Sequence, residues 1–327
     1  MSQLIVSPSP HIHGPESTSR IMTDVLIALA PASLVSIYFY GLPVLLLLAV
    51  SAAACILFEF LIHKYLMGSK TEFNGLSAAV TGVLLALNLP PAAPWWIAVI
   101  GAFVAIAIAK MSFGGLGQNI FNPALVGRVF LLISFPVIMT TWSAPAGLFH
   151  NVDAFSGATP LSIINEGVKA GIPANEIIAA HNFTPLEMLF ARTGGSVGEV
   201  SAIALLIGFI YLLVRRVIRP HITLSIWVTV AVMTGIFCLA NPAQFSGPAF
   251  NLLTGGMLLG SIFMATDYVT SPMTAKGQIF FGVGIGVIAV LIRYFGSYPE
   301  GVSFAILIMN CVTPLLNRLK PVGFGRK

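Results

Sequence analysis

The feature that most constrains this chain is a succession of ten apolar runs, at roughly 21–40, 43–66, 74–89, 94–113, 118–138, 195–214, 221–240, 247–265, 277–295 and 301–317. Each is long enough, or nearly so, for a helix to cross a hydrocarbon layer about 30 Å thick. Within such a layer every backbone N–H and C=O needs a partner inside the protein, so a helix is the spanning element to expect. The predicted fold is an all-α polytopic membrane protein with about ten transmembrane helices. A water-facing alternative fails on charge: 8% of the 327 residues are charged, where a soluble domain carries about 25%.

The runs form two blocks of five, 21–140 and 195–318, separated by a polar interval at 141–194 and flanked by polar tails at 1–20 and 319–327. Five crossings per block put the two blocks in opposite orientations. The net charge of +5 is therefore read as topology and not as a nucleic-acid footprint. With the N-terminus inside, Arg20, Lys64, Lys70, Lys110, Arg215, Arg216, Arg219, Lys276, Arg318, Lys320, Arg326 and Lys327 all face the cytoplasm. Only Lys169 and Arg192 fall in the interval, against Asp153, Glu166, Glu176 and Glu187. Both termini are thus expected in the cytoplasm and the interval outside. About twenty polar residues precede the first run, which reads as a retained anchor and not a cleaved signal.

The blocks also echo each other. Phe73-Asn74-Gly75-Leu76 leads the third run and Phe250-Asn251-Leu252-Leu253 the eighth, while Asn122-Pro123 has a looser counterpart in Thr313-Pro314. That suggests two inverted five-helix repeats, with chance likeness between hydrophobic helices as the alternative. Thr81-Gly82, Asn88-Leu89-Pro90-Pro91, Gly114 to Asn119 and Thr254-Gly255-Gly256 are read as breaks. Such breaks either expose helix ends that can hold a cation or a flavin's polar edge, or let helices pack closely through small residues.

Ionisable residues near the runs are few. Asp24, Glu59 and Asp267 are candidates for an ion path, because a carboxylate at membrane depth is costly unless paired, hydrated or ion-bound. Asp24 and Glu59 either form a cation-access site together, or Glu59 meets His63 one helical turn away. Arg128 is either a structural charge partner or a phosphate contact. Cys55, Cys238 and Cys311 lie in apolar runs without a C-x-x-C pair, and His11 and His13 have no further ligand beside them. No metal site or cluster is expected, so redox chemistry would need an organic cofactor.

The polar interval contains Asp153-Ala154-Phe155-Ser156-Gly157-Ala158-Thr159-Pro160-Leu161. Its small residues predict a turn that leaves the Thr159 hydroxyl unobstructed, with Pro160 fixing the backbone beyond. In a soluble protein this would be an ordinary turn. Here the chain resembles the RnfD/NqrB family, which comprises D subunits of the ion-translocating ferredoxin:NAD oxidoreductase (Rnf) complex and B subunits of the sodium-pumping NADH:quinone reductase. The family's flavinylation signature, Asp-x-x-Ser/Thr-Gly-Ala-Ser/Thr, is filled by Asp153, Ser156, Gly157, Ala158 and Thr159. Ser9 to His13, Thr81 to Pro91, Gly117 to Arg128 and Ala265 to Thr274 are family-like as well.

The resemblance implies FMN joined by a phosphoester to Thr159, attached by a flavin transferase, and leaves open a second, noncovalent flavin. It implies a multi-pass subunit of the bacterial cytoplasmic membrane, with the other Rnf subunits as partners and Na+ or H+ as the ion moved. Covalent attachment makes physical sense outside the cytoplasm, where a dissociated cofactor would be lost. Gly75 stands where the quinone-reductase relatives carry an acid, which weakens transfer of a sodium site. The chain has no catalytic residues to nominate and no nucleotide fold, so it is expected to act within a complex. The rival readings are a quinone-reductase-type B subunit, a channel or transporter without redox chemistry on the same scaffold, and an assembly subunit that carries no electrons.

Overall fold

A computed structural model describes residues 17–68, 75–143, 156–157, 159–181, 183, 188–189, 195–296 and 300–319. Helix α1 (Thr18–Tyr40) starts where the Ser17 hydroxyl accepts from the Arg20 N–H. It reverses at Gly41, whose φ of +73° suits glycine, into α2 (Leu42–Ile62), prolonged by a π turn to Met67. After α3 (Leu76–Leu87) the chain turns at Asn88 to Pro94 into α4 (Trp95–Phe103), which is extended by π and 3-10 turns to Phe113. Helices α5 (Pro123–Ser134) and α6 (Pro136–Met139) close this block.

Strand β1 (Trp142–Ser143) then pairs antiparallel with β2 (Ser156–Gly157), Trp142 opposite Gly157 and Ser143 opposite Ser156. Helices α7 (Pro160–Lys169) and α8 (Ala174–Ala180) complete the connection. The second block contains α9 (Ala202–Val214), α10 (Pro220–Ala240), α11 (Pro248–Leu253), α12 (Met257–Leu259, continued by a π turn to Met264), α13 (Ala275–Phe295) and α14 (Val302–Leu316).

Among the described residues five stretches are long and apolar enough to cross a membrane: Thr18–Tyr40, Leu42–Met67, Trp95–Phe113, Pro220–Ala240 and Ala275–Phe295. Four apolar helices are shorter, namely α3, α5, α9 and α14. The eighth apolar run is split into α11 and α12. This is an all-α polytopic membrane protein. Large apolar side chains such as Leu34, Leu42, Val228 and Leu239 point outward, as helices facing hydrocarbon require. Within the bundle α2 packs on α3 and α4, α10 packs on α13, and α1 against α9 joins the two blocks.

The apolar core runs through both blocks. A second, smaller core lies where the connection docks: Leu161, Ile164, Ala174, Ile177 and Met188 pack with Phe250 of α11. The Ala174 N–H, donating to the Ala243 carbonyl at 2.8 Å, pins this cap to the 241–247 turn.

Three of the four expected breaks are real and one is not; at Asn88 to Pro91 α3 has ended and the chain turns. Gly114, Gly115 and Gly117 have φ of +115°, +92° and +89°, so the Gly-rich run is a loop, and α5 begins only at Pro123. At Thr254-Gly255-Gly256 the chain leaves the helix, with φ of +65° and +66° at the glycines. Thr81-Gly82, by contrast, lies inside an uninterrupted α3. A Cβ on Gly82 would sit 2.6 Å from Ala52 Cα, and Ser51 Oγ donates to the Gly82 carbonyl at 2.7 Å. The glycine serves close packing of α3 on α2. Phe73 and Asn74 lie outside the described residues, so their likeness to Phe250 and Asn251 has no placement to compare.

Candidate functional site

Thr159 is held from both sides. The β1–β2 ladder ties Ser156 and Gly157 back to the end of the first block, and Pro160 opens α7 at the position where its missing N–H costs nothing. Thr159, with φ −63° and ψ 153°, is the N-cap: its Oγ1 accepts from the Ser162 N–H at 3.2 Å and lies 2.7 Å from Ser162 Oγ. Its side chain is buried, at 3% exposure. The expectation of an unobstructed hydroxyl thus gives way to a capping one. The reason is local: a Thr directly before a helix-opening Pro is placed to satisfy the first turn. Asp153 and Ala158 lie outside the described residues, as do His11 and His13.

Beneath Thr159 is a small cavity of about 10 Å³ that it shares with Leu161, Glu199, Leu253, Thr254 and Gly255. The floor is the break between α11 and α12. Its free carbonyls are gathered by Arg293, which is 2% exposed: the guanidinium donates to Asn251 O at 2.5 Å, Thr254 O at 2.8 Å and Gly255 O at 3.0 Å. Such carbonyls would otherwise be orphaned where the helix stops. Glu199 is fixed by the Ser196 hydroxyl at 2.6 Å.

Arg128, from α5, reaches the same neighbourhood. It donates to the Asn88 carbonyl at 3.3 Å, to Ser303 and to the Glu300 carboxylate. Arg128 therefore acts as a structural charge partner and caps the end of α3. Glu199, Glu300, Arg128 and Arg293 together form one set of interacting acidic and basic side chains, of which Glu199 lines the space beneath Thr159. Sequence reading named Arg128 but passed over Glu199, Glu300 and Arg293 as site residues. The available signal was their type: charged residues at the edges of apolar runs.

The opposite end of α3 carries a second polar cluster. Lys110, 1% exposed, pairs with Glu59 at 2.7 Å and donates to Ser77 Oγ at 3.0 Å. Lys110, counted above with the cytoplasmic-side charges, is a buried side chain, and Glu59 pairs with it. A cavity of about 110 Å³ opens beside it, lined by Thr81, Lys110, Asn119, Asn122 and Asp267. Asn122 caps α5 by accepting from Ala124 N at 3.1 Å and donates to the Met264 carbonyl at 3.2 Å. Asp267 accepts from Thr270 Oγ1 at 3.2 Å.

Of the three ion-path candidates, Asp267 faces this cavity and Glu59 reaches it through Lys110. Asp24 is elsewhere. It accepts from Tyr211 Oη at 2.9 Å and pairs with Arg215 at 3.2 Å. Asp24 and Glu59 are thus each taken by a different cation, not joined in one access site.

A sequence profile described as "NQR2, RnfD, RnfE family" matches residues 5–325 of this chain. The chain belongs to this family. Among curated relatives, the D subunit of the Na(+)-translocating ferredoxin:NAD(+) oxidoreductase complex of Acetobacterium woodii is 44% identical over 315 residues, covering 96% of this chain and 93% of that protein. The proton-translocating counterpart from Clostridium ljungdahlii is 41% identical over 323 residues, with 98% and 96% covered. The D subunit of an ion-translocating oxidoreductase complex from Aliivibrio salmonicida is 37% identical over 355 residues, with 98% of each covered. Family membership thus extends over both polar clusters and the connection between them.

Proposed function

We propose that this chain is the D subunit of an Rnf-type complex. It couples electron transfer between ferredoxin and NAD to movement of Na+ or H+, with FMN carried on Thr159. Full-length similarity to D subunits named for that activity supports the complex. The observation that carries the flavin reading is Thr159 at the N-cap of α7, completing the Asp153 to Thr159 signature. The first turn of α7 contains no acid, so its free N–H groups and dipole favour a phosphate there. An ester oxygen at Thr159 still accepts from the Ser162 N–H, and the Ser162 hydroxyl is placed to donate to the phosphoryl group.

The 10 Å³ cavity is far too small for an isoalloxazine ring, so the ring lies outside it. Bound flavin would supply one- and two-electron chemistry, which no side chain of this protein offers. The protein's own residues bind and orient: Thr159 tethers, α7 neutralises the phosphate, and Arg293 holds the adjacent break in shape. On this reading the two blocks are inverted repeats making ten crossings, with both termini in the cytoplasm and Thr159 outside, as the basic residues suggest. The cavity between Lys110 and Asp267 is where a cation or a second, noncovalent flavin would meet the membrane interior. The other Rnf subunits and a flavin transferase are the partners.

The test is coexpression with a flavin transferase, followed by in-gel fluorescence and intact mass. The unmodified chain and Thr159→Ser carry the added mass of FMN. Thr159→Asn keeps an N-cap of comparable quality but offers no hydroxyl, so the helix stays and the flavin goes. Fluorescence retained in Thr159→Asn would end the assignment.

A further inference from the structure

A second site lies where α9 hands over to α10, at residues 215–219. Two adjoining cavities of about 340 and 250 Å³ share Arg216, Val217 and Tyr268. Arg219 lines the larger, Arg20 and Arg215 the smaller. Of these four arginines, Arg215 alone is ion-paired with an acid among the described residues, through Asp24. Outside those residues, 1–16 contain Glu16, 69–74 contain Lys70 and Glu72, and 320–327 contain Lys320, Arg326 and Lys327.

The positive φ of Arg216, +56°, closes α9 as a C-cap: the Arg216 N–H donates to the Leu213 carbonyl at 3.0 Å and the Val217 N–H to the Leu212 carbonyl at 2.9 Å. Beside this turn, Val217, Ile218 and Ile222 give the larger cavity an apolar wall, so it is amphipathic as well as basic. Gln278 lines it too, with its Nε2 donating to the Pro272 carbonyl at 3.1 Å.

We propose that this cavity seats the headgroup of an anionic glycerophospholipid. The phosphodiester lies between Arg216 and Arg219, and the glycerol ester region rests against the apolar wall. A zwitterionic headgroup would bring an ammonium beside Arg216 and Arg219, where like charge opposes it. A basic pocket between spanning helices at the membrane boundary is the setting in which such headgroups bind. A soluble glycerophosphate presents the same phosphate, and the two sources differ in whether the acyl chains matter. This site stands apart from the flavin reading and survives its failure.

The experiment is native mass spectrometry of the delipidated full chain in detergent, titrated with phosphatidylglycerol, phosphatidic acid, phosphatidylcholine or sn-glycerol 3-phosphate. Phosphatidylglycerol is expected to bind one molecule tightly, with phosphatidylcholine and glycerol 3-phosphate failing to compete. The paired change Arg216→Gly with Arg219→Gln keeps the positive φ accessible and is expected to weaken binding about 30-fold, roughly fivefold per guanidinium. Arg318→Gln, outside the cavity, leaves binding unchanged. Phosphatidic acid, which presents an anionic phosphate on the same acyl chains, is expected to bind as well. Equal retention of phosphatidylglycerol by the paired variant overturns the site. Displacement by equimolar glycerol 3-phosphate overturns the lipid as its occupant. Copurification of the lipid with the assembled complex that does not respond to the paired change overturns it as well, since the surface would then belong to a neighbouring subunit.

Discussion

The two polar clusters at the ends of α3 solve the same problem differently. Near its start, Ser77 accepts from Lys110, which also holds Glu59; just past its end, the Asn88 carbonyl accepts from Arg128, which also holds Glu300. The two anchor points are about 16 Å apart along the helix. The Lys110 cluster is a compact ion pair with a cavity of about 110 Å³ beside it. The Arg128 cluster grips backbone as well as carboxylate, and the space at Thr159 is closed to about 10 Å³. One end therefore has open space beside its ion pair, whereas the other is closed around backbone. Arginine suits the second role, since its planar fork bonds several oxygens at once, and lysine's single ammonium suits the first.

The sharpest way to break this comparison is to remove each cation. Lys110→Met or Arg128→Met leaves a buried carboxylate alone, and each should cost about 3–5 kcal/mol of stability. Neutralising both partners separates them. Lys110→Met with Glu59→Gln should recover most of the loss in a detergent thermal melt. Arg128→Met with Glu300→Gln should stay about 1–3 kcal/mol short, because the Asn88 carbonyl remains without its donor. Equal recovery at both ends would mean that Arg128 is a simple ion-pair partner and not a backbone clamp.

The break between α11 and α12 sharpens the closed half. Gly255 has φ +65°, and a Cβ there would stand 2.4 Å from Leu161 Cδ1 and 2.8 Å from Arg293 Nη2. Gly255→Ala should cost about 1–3 kcal/mol through strain and overpacking. Its effect should spread into α7 through Leu161, visible as faster amide exchange at 161–164. Exchange confined to 253–257 would show that the connection is not seated on the break.

How far the sequence foretold these features depends on their range. Several apolar runs placed their helices to within a few residues, since a lipid-facing helix announces itself by composition alone: 277–295 became Ala275–Phe295, and 94–113 became Trp95–Phe113. Others did less well: the helix in 195–214 begins only at Ala202, and that in 118–138 at Pro123. Gly255-Gly256 and Gly114 to Gly117 were legible as breaks because several glycines clustered. Thr81-Gly82 misled, since one glycine in a helix signals close packing as readily as a turn, and only Ala52 across the interface decides which. The pairings Lys110 with Glu59 and Arg128 with Glu300 were out of reach. Their partners are 51 and 172 positions apart, and no periodicity links them. The signature at Thr159 was visible, but its capping role required knowing that α7 starts at Pro160.

That capping role gives a smaller test. Thr159→Ala should destabilise α7 by about 1 kcal/mol, read as increased protease cleavage within 160–169 even where no flavin is attached. Thr159→Asn should restore resistance. If both variants are cleaved like the unmodified chain, the cap is not what holds the connection in place, and Leu161 and Ile164 packed on Phe250 must do so instead.

The smallest effect is expected at the third carboxylate, and it tests whether burial of the cation or proximity of opposite charges sets the ranking. Asp24 lies in α1 with its side chain 10% exposed, as Glu59's is, and each is held by a basic residue within hydrogen-bond reach. The cations differ: the Arg215 side chain is 38% exposed and that of Lys110 is 2%. Water screens the first pair and can replace the guanidinium, and Tyr211 remains as a donor to Asp24. Arg215→Gln should therefore melt with the unmodified chain, while Lys110→Met should not. A loss at Arg215 as large as that at Lys110 would mean that the carboxylate's surroundings govern the cost, and the contrast between the two ends of α3 would then need a different cause.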